Sequence, residues 1–179
     1  MTNGTQTLDP SLRAKRGNPG MSATPRCLSM TNKEIAFYQL NTSTLEKMLP
    51  ALLEKVYQKG LRALVVIDSP QRMEAIDYAL WTYSPGSFLP HGYKGNAEDH
   101  PIWLSLESSN RNQAQVVVIT NGKIMEDLSG FERCVDIFDG SQETAVEQAQ
   151  SRLETYRRQG LSPKFWEQTH EGRWQEKSI

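Results

Sequence analysis

Apolar residues along this chain occur in short continuous runs that are separated by stripes at helical spacing. Runs that are mostly apolar and rich in β-branched or aromatic side chains predict strands. They lie at Glu34–Leu40, Arg62–Asp68, Pro101–Glu107, Ala114–Thr120 and Glu132–Phe138. The second and fourth runs are almost wholly apolar, which is typical of strands whose two faces are both covered.

Between these runs, apolar residues recur every three or four positions, which predicts amphipathic helices. The first helix is predicted to begin at the capping box Ser43–Glu46 and to end at Gly60. The second begins at Ser69-Pro70, where a serine N-cap precedes a proline at the first helical position. A third is predicted to be capped by Asp139 and to end at Gly160.

The order strand, helix, strand, helix, strands, helix predicts a three-layer α/β/α sandwich with a largely parallel, Rossmann-like sheet. Residues 1–29 are polar and lack a hydrophobic period, so we predict that they form a disordered extension. Residues 30–179 are then a single α/β domain. The segment after Gly160 is predicted to be a basic, aromatic C-terminal tail.

Charge and composition narrow the class of function. The formal net charge of the whole chain is −1, but residues 1–29 carry four Lys and Arg against one Asp, so the remainder carries −4. A net acidic body argues against broad, non-specific binding of duplex DNA. No apolar run approaches the roughly 20 residues of a membrane helix. Two cysteines give no disulfide framework, so we expect a cytoplasmic protein.

The sequence lacks the elements of nucleotide and catalytic chemistry that such a sheet often carries. Neither GxGxxG nor GxxxxGK[ST] occurs, so the backbone cradle for a phosphate is missing. The three histidines are far apart and show no metal-ligand spacing. Cys134 lies within a predicted strand, which is typical of a buried, inert thiol. We therefore predict no catalytic residue, no metal site and no cofactor.

An aromatic segment, Ala79–Gly95, holds four aromatic residues among prolines and glycines, with one histidine and no acid. Exposed aromatic side chains beside rigid turns are frequent hot spots of protein interfaces. The alternative is that Trp81 and Phe88 seal the edge of the core under a long loop, and composition leaves both interpretations open. Asp77, one helical turn earlier, is either a partner contact or a carboxylate that is satisfied at the helix edge.

Several short motifs follow one another along the chain. They are Phe37–Leu40, Asp77 with Leu80-Trp81, Ser87–His91, Val135-Asp136 and Arg152–Gly160. Their order resembles that in the chi subunit family of bacterial DNA polymerase III, and the resemblance covers about residues 34–168. Each motif is weak alone, whereas the ordered set is fairly specific.

The resemblance implies a non-catalytic accessory subunit of the DNA polymerase III holoenzyme in DNA replication. Such a subunit links the clamp-loader assembly to single-stranded DNA-binding protein by gripping that protein's acidic C-terminal tail. The resemblance also implies that Trp81, Phe88 and Asp77 dock the psi subunit, or another clamp-loader or helicase partner. DNA would be contacted only indirectly or weakly, and a membrane not at all.

The resemblance places the acidic-tail site at the end of the last helix. The residues that it assigns to this site are Phe138, Arg152, Tyr156 and Arg157. The match is incomplete, because Gln150, Leu153 and Glu154 stand where the family has an arginine, an aromatic residue and a lysine. Residues 151–179 still carry six Lys and Arg against four Glu, which would steer an acidic peptide towards this end. We expect the assigned residues to line a shallow groove.

Two hypotheses from other classes stay open on the residues alone. One is a Rossmann-like nucleotide-binding enzyme with a degenerate phosphate loop, which predicts a convergent polar pocket at the strand ends. The other is an unrelated α/β nucleic-acid-binding module, which predicts salt-dependent affinity for DNA. The missing glycine-rich loop disfavours the first hypothesis, and the acidic body disfavours the second.

Overall fold

The computed structural model describes residues 33–120 and 122–177, and the predicted extension, residues 1–29, lies outside the described residues. The strands are β1 (Glu34–Leu40), β2 (Ala63–Val66), β3 (His91–Gly92), β4 (Ile102–Ser105), β5 (Val116–Ile119), β6 (Arg133–Asp139), β7 (Lys164–Gln168) and β8 (Trp174–Glu176). The helices are α1 (Leu45–Gln58), α2 (Pro70–Thr82) and α3 (Glu143–Arg158). Each predicted strand and helix is therefore present, with shorter bounds at most ends.

The strands that the structure describes form one sheet in the order β3-β4-β2-β5-β6-β1-β7-β8. Neighbouring strands are parallel throughout, except for the antiparallel pair of β7 and β8 at one edge. The central strands β2 and β5 are buried along their whole length, as their continuous apolar sequences predict. The predicted largely parallel sheet is confirmed.

Helices cover both faces of this sheet. On one face, Leu53 of α1 and Ile76 of α2 belong to the same buried cluster as Val65 of β2. On the other face, Leu153 of α3 lies in a cluster with Phe37 of β1. These two apolar layers between helices and sheet confirm the predicted α/β/α sandwich.

The segment that was predicted to be a C-terminal tail is part of the sheet. Strand β7 pairs in parallel with β1, and β8 turns back against β7. Phe165 of β7 is buried and stacks on Phe37, with ring centroids 6.5 Å apart. The prediction of a tail was wrong for the described residues. Charged residues such as Lys164 and Glu167 interrupt the apolar pattern of β7, so the sequence does not show that this short strand has one buried face.

Two of the three predicted helix caps are not formed by the expected side chain. The Ser43 hydroxyl donates to Oε1 of Gln168 at 2.9 Å instead of capping α1. Asp139 accepts the Ser141 N–H at 2.9 Å in the turn before α3 and does not reach the helix itself. The predicted cap at Ser69 is confirmed, because its hydroxyl accepts a backbone N–H in the first turn of α2.

Candidate functional site

An exposed aromatic surface, formed by Tyr78, Trp81 and Phe88, lies at the β3 edge of the sheet. The side chains of Trp81 and Phe88 are 55% and 67% exposed, and their ring centroids are 5.8 Å apart. Tyr78 is 70% exposed and lies three residues before Trp81 on α2, which places both on neighbouring positions of the helix surface. The alternative in which Trp81 and Phe88 seal the core edge is therefore wrong.

A tight turn after α2 brings Phe88 back beside Trp81. The Tyr83 and Ser87 hydroxyls are hydrogen-bonded to each other across this turn. Gly86 has a φ of 81°, a backbone conformation that residues other than glycine rarely adopt. Leu89, the residue after Phe88, is buried and anchors the chain. This arrangement fixes two large apolar rings on the surface with little freedom to move.

The side chain of His91 packs against the buried side of the aromatic surface. Its buried imidazole lies against the Trp81 indole, with ring centroids 5.0 Å apart. Its Nδ1 is 2.7 Å from the Leu89 carbonyl oxygen, and its Nε2 is 3.2 Å from Oδ1 of Asp77. Each ring nitrogen therefore faces an oxygen atom, one of the backbone and one of a carboxyl group. Asp77 thus holds His91 in place. The two residues are 14 positions apart, and the sequence alone did not indicate that they are paired.

The residues assigned to the acidic tail do not form the expected exposed groove. Tyr156 has no exposed surface, and its hydroxyl accepts the Met125 N–H at 3.2 Å. Arg152 is also buried and donates two hydrogen bonds to Asp136, at 2.7 Å and 2.9 Å. A third bond, of 2.8 Å, joins Arg152 to the Gly122 carbonyl oxygen. Tyr156 and Arg152 therefore fasten α3 to the sheet and to the loop before β6.

Two of the assigned residues, Phe138 and Arg152, line a cleft of about 560 Å³ at the carboxyl ends of the strands. The charged residues of its lining are Glu46, Asp68, Arg72, Asp139 and Arg152. Three carboxylates against two guanidinium groups give this cleft no excess of positive charge. Arg157, in the last turn of α3, is exposed and is not part of the cleft lining.

Burial controls the ionisation of the groups beneath α3. Burial raises the pKa of the Asp136 carboxyl, and the hydrogen bonds and charge of Arg152 act against that rise. Burial likewise raises the pKa of the Cys134 thiol and of the Tyr156 phenol, so both are protonated at neutral pH. The prediction of a buried thiol at Cys134 is confirmed.

Metal-binding clusters and membrane-spanning helices are both absent from residues 33–120 and 122–177. Within these ranges, no group of three or more His, Cys, Asp and Glu is arranged to hold a metal ion. No helix in the same part of the chain combines the length and the apolar character that crossing a bilayer requires.

The fold and this surface define a class of protein: an α/β/α domain without a glycine-rich phosphate loop that presents exposed aromatic rings at one sheet edge. The family model described as DNA polymerase III chi subunit, HolC, matches residues 31–164. The chain belongs to this family, and the predicted resemblance is confirmed. The family places it among the accessory subunits of DNA polymerase III, in DNA replication.

Curated relatives agree with the family match. A Rickettsia prowazekii protein named probable DNA polymerase III subunit chi is 27% identical over 116 residues, or 60% of this chain and 70% of the relative. The DNA polymerase III subunit chi of Haemophilus influenzae is 26% identical, over 72% of this chain and 92% of its own. That of Escherichia coli is 24% identical, over 73% and 95%. The similarity thus extends over most of each relative.

Proposed function

We propose that this chain is a non-catalytic linking subunit of the replicative polymerase assembly in the cytoplasm. One side docks on a partner within that assembly, either a psi subunit or another clamp-loader or helicase component. The other connection is to the acidic C-terminal tail of single-stranded DNA-binding protein. The single observation that carries this proposal is the exposed, supported pair of Trp81 and Phe88.

The aromatic surface has the physical properties of a docking site. Large aromatic rings that are held in place lose little entropy on binding and bury much apolar area. The buried contact with His91 fixes the Trp81 ring before a partner arrives. The rings carry no charge, and the Asp77–His91 pair beneath them is engaged internally. This environment favours an apolar partner face over a substrate.

The first prediction is that Trp81→Ala weakens binding to the purified clamp-loader assembly at least about 30-fold, or roughly 2 kcal/mol, which is typical of a hot-spot aromatic. Binding is measured by isothermal titration calorimetry. Tyr57→Ala is the matched control, because Tyr57 is an exposed aromatic residue on α1, outside the aromatic surface. Both variants should melt like the wild type. Undiminished binding of Trp81→Ala would exclude the docking role.

For the acidic tail, we propose a site at the C-terminal end of α3 around Arg157. Support comes from the family match and from the positive balance of residues 151–179. Arg152 and Tyr156 would act there by holding the last turns of α3 against the sheet, since both are buried. Phe138 lies farther away, near the carboxyl end of β6 beside the first half of α3.

The second prediction uses a peptide of several aspartates with an apolar C-terminal residue, titrated by fluorescence anisotropy. Glu154→Lys should strengthen binding, because it replaces an exposed like charge on α3 with an opposite one. Arg157→Ala should weaken it. Arg158→Ala, which removes a neighbouring exposed cation, is the control and should change affinity least. If none of the three variants differs from the wild type, the tail does not bind at this helix end.

A further inference from the structure

A second open surface lies at the opposite end of the sheet from the aromatic surface. A groove of about 1190 Å³ runs between α1 and the half of the sheet that β1, β7 and β8 form. Helices α1 and α2 contact each other on this face, and the contacts of α1 with the sheet reach β2 and β6. Within the described residues, the adjoining face of β1, β7 and β8 borders this groove, and we call the channel the lysine groove.

The floor of the lysine groove is apolar. Met48, Leu52 and Val56 are spaced four residues apart on α1 and form one stripe along the groove. Tyr38 of β1 and Trp174 of β8 face them, with ring centroids 5.0 Å apart and perpendicular planes. Met48, Leu52, Tyr38 and Trp174 are only half-buried, so the groove offers apolar area to a ligand.

The rim of the lysine groove is strongly basic. Its cationic residues are Lys33, Lys47, Lys55, Lys59, Arg133 and Lys164. Against these six stand two acids, Glu34 and Glu132. The groove thus gathers an excess of four positive charges on a chain whose formal net charge is −1.

Among the described residues, four of the six cations are exposed and form no ion pair. Arg133 forms an ion pair with Glu34 at 3.4 Å, and Lys33 donates to the Leu128 carbonyl oxygen. The four others are Lys47, Lys55, Lys59 and Lys164. None of these four has an ion-pair partner in the ranges that the structure describes. Their charges are therefore available to an anionic ligand along both sides of the groove.

We propose that the lysine groove binds an acidic peptide segment of a partner protein in an extended conformation. Apolar side chains of the peptide lie on the floor, and carboxylates meet the lysines of the rim. From Lys47 to Lys59 the helix spans about 18 Å, which five or six extended residues cover. The groove also exceeds the about 300–1,000 Å³ of small-molecule pockets. This inference concerns a different surface from the proposed function and does not rest on it.

Other occupants fit the groove less well. A single-stranded nucleic acid needs free aromatic faces on which bases stack, whereas Tyr38 stacks on Trp166 and contacts Trp174. Residues 1–29 of this chain carry a net charge of +3, which the lysines repel. A second copy related by a two-fold axis would place one basic groove against another. Charge therefore favours an acidic segment of a different protein.

The test is fluorescence anisotropy with a labelled hexapeptide of alternating aspartate and isoleucine and the full chain. The double variant Lys55→Glu/Lys59→Glu should bind at least tenfold more weakly than the wild type. The control, Lys94→Glu/Arg111→Glu, changes the net charge equally at exposed cations outside both the groove and the C-terminal end of α3, and should differ less than twofold. A hexa-aspartate peptide should bind more weakly than the alternating one. Circular dichroism checks that each variant is folded.

Several outcomes would overturn the proposal. No peptide binding, or equal loss in both double variants, would show that the groove has no specific affinity. Binding that appears only after residues 1–29 are deleted would assign the groove to this chain's own segment. Displacement of the peptide by oligothymidine at lower concentration than by unlabelled peptide would assign it to nucleic acid. A dimer in size-exclusion chromatography that Lys55→Glu/Lys59→Glu alters would assign it to a second copy.

Discussion

Arg152 and Asp136 form a buried ion pair that joins α3 to the middle of β6. The third prediction is that Arg152→Ala lowers the free energy of unfolding by about 3–5 kcal/mol, because it leaves the Asp136 carboxylate buried without its cation. Urea denaturation followed by circular dichroism measures this loss. Arg158→Ala is the control, because it removes an exposed arginine from the same helix and should cost less than about 0.5 kcal/mol.

The loss from Arg152→Ala should depend on pH. Without Arg152, burial alone acts on Asp136 and raises its pKa in the folded state further above the unfolded value. A raised folded pKa stabilises the fold at low pH, and that contribution is lost as the pH rises through the folded pKa. The difference between wild type and variant should therefore be smaller at about pH 5 than at about pH 8. A loss that is small and independent of pH would contradict the account of this pair.

At the scale of the elements, β7 and β8 extend the core instead of forming a loose tail. The fourth prediction is that Phe165→Ala destabilises the fold by about 3–5 kcal/mol, as expected for a buried phenylalanine that contacts Phe37 and Phe138. Phe88→Ala is the matched control: it removes the same side chain from an exposed position and should leave the melting temperature nearly unchanged. Equal melting of both variants would mean that β7 does not contribute to the core.

Elements with a strong local pattern could be predicted from the sequence, and those defined by distant partners could not. The apolar runs of the central strands and the Ser69-Pro70 helix start are local signals, and both are present in the structure. Ser43 has an equally good local cap sequence, yet its hydroxyl is used by Gln168, which is 125 residues away. No local pattern contains that contact.

The candidate sites also combine features with a local sequence pattern and features that depend on distant residues. Composition left the exposure of Trp81 and Phe88 open, and only the resemblance to the chi subunit family favoured it. The stripe of apolar residues on α3 already includes Tyr156, and this signal could have shown that Tyr156 is buried. The lysines of α1 are visible in the sequence, but the open sheet face beside them depends on the strand order β6-β1-β7-β8. Pairing of distant strands is what the sequence alone does not reveal.

At the scale of the whole molecule, the proposed function predicts that one chain binds the clamp-loader assembly and single-stranded DNA-binding protein at the same time. The fifth prediction concerns single-stranded DNA-binding protein from the same organism, immobilised and supplied with this chain and the clamp-loader assembly. Wild-type chain should retain the assembly on the surface, as measured by surface plasmon resonance. The Trp81→Ala variant should itself be retained on the surface but should no longer retain the assembly, because the aromatic surface and the proposed tail site lie on different parts of the fold. Retention of the assembly by Trp81→Ala at the wild-type level, or its absence with the wild-type chain, would contradict the linking role.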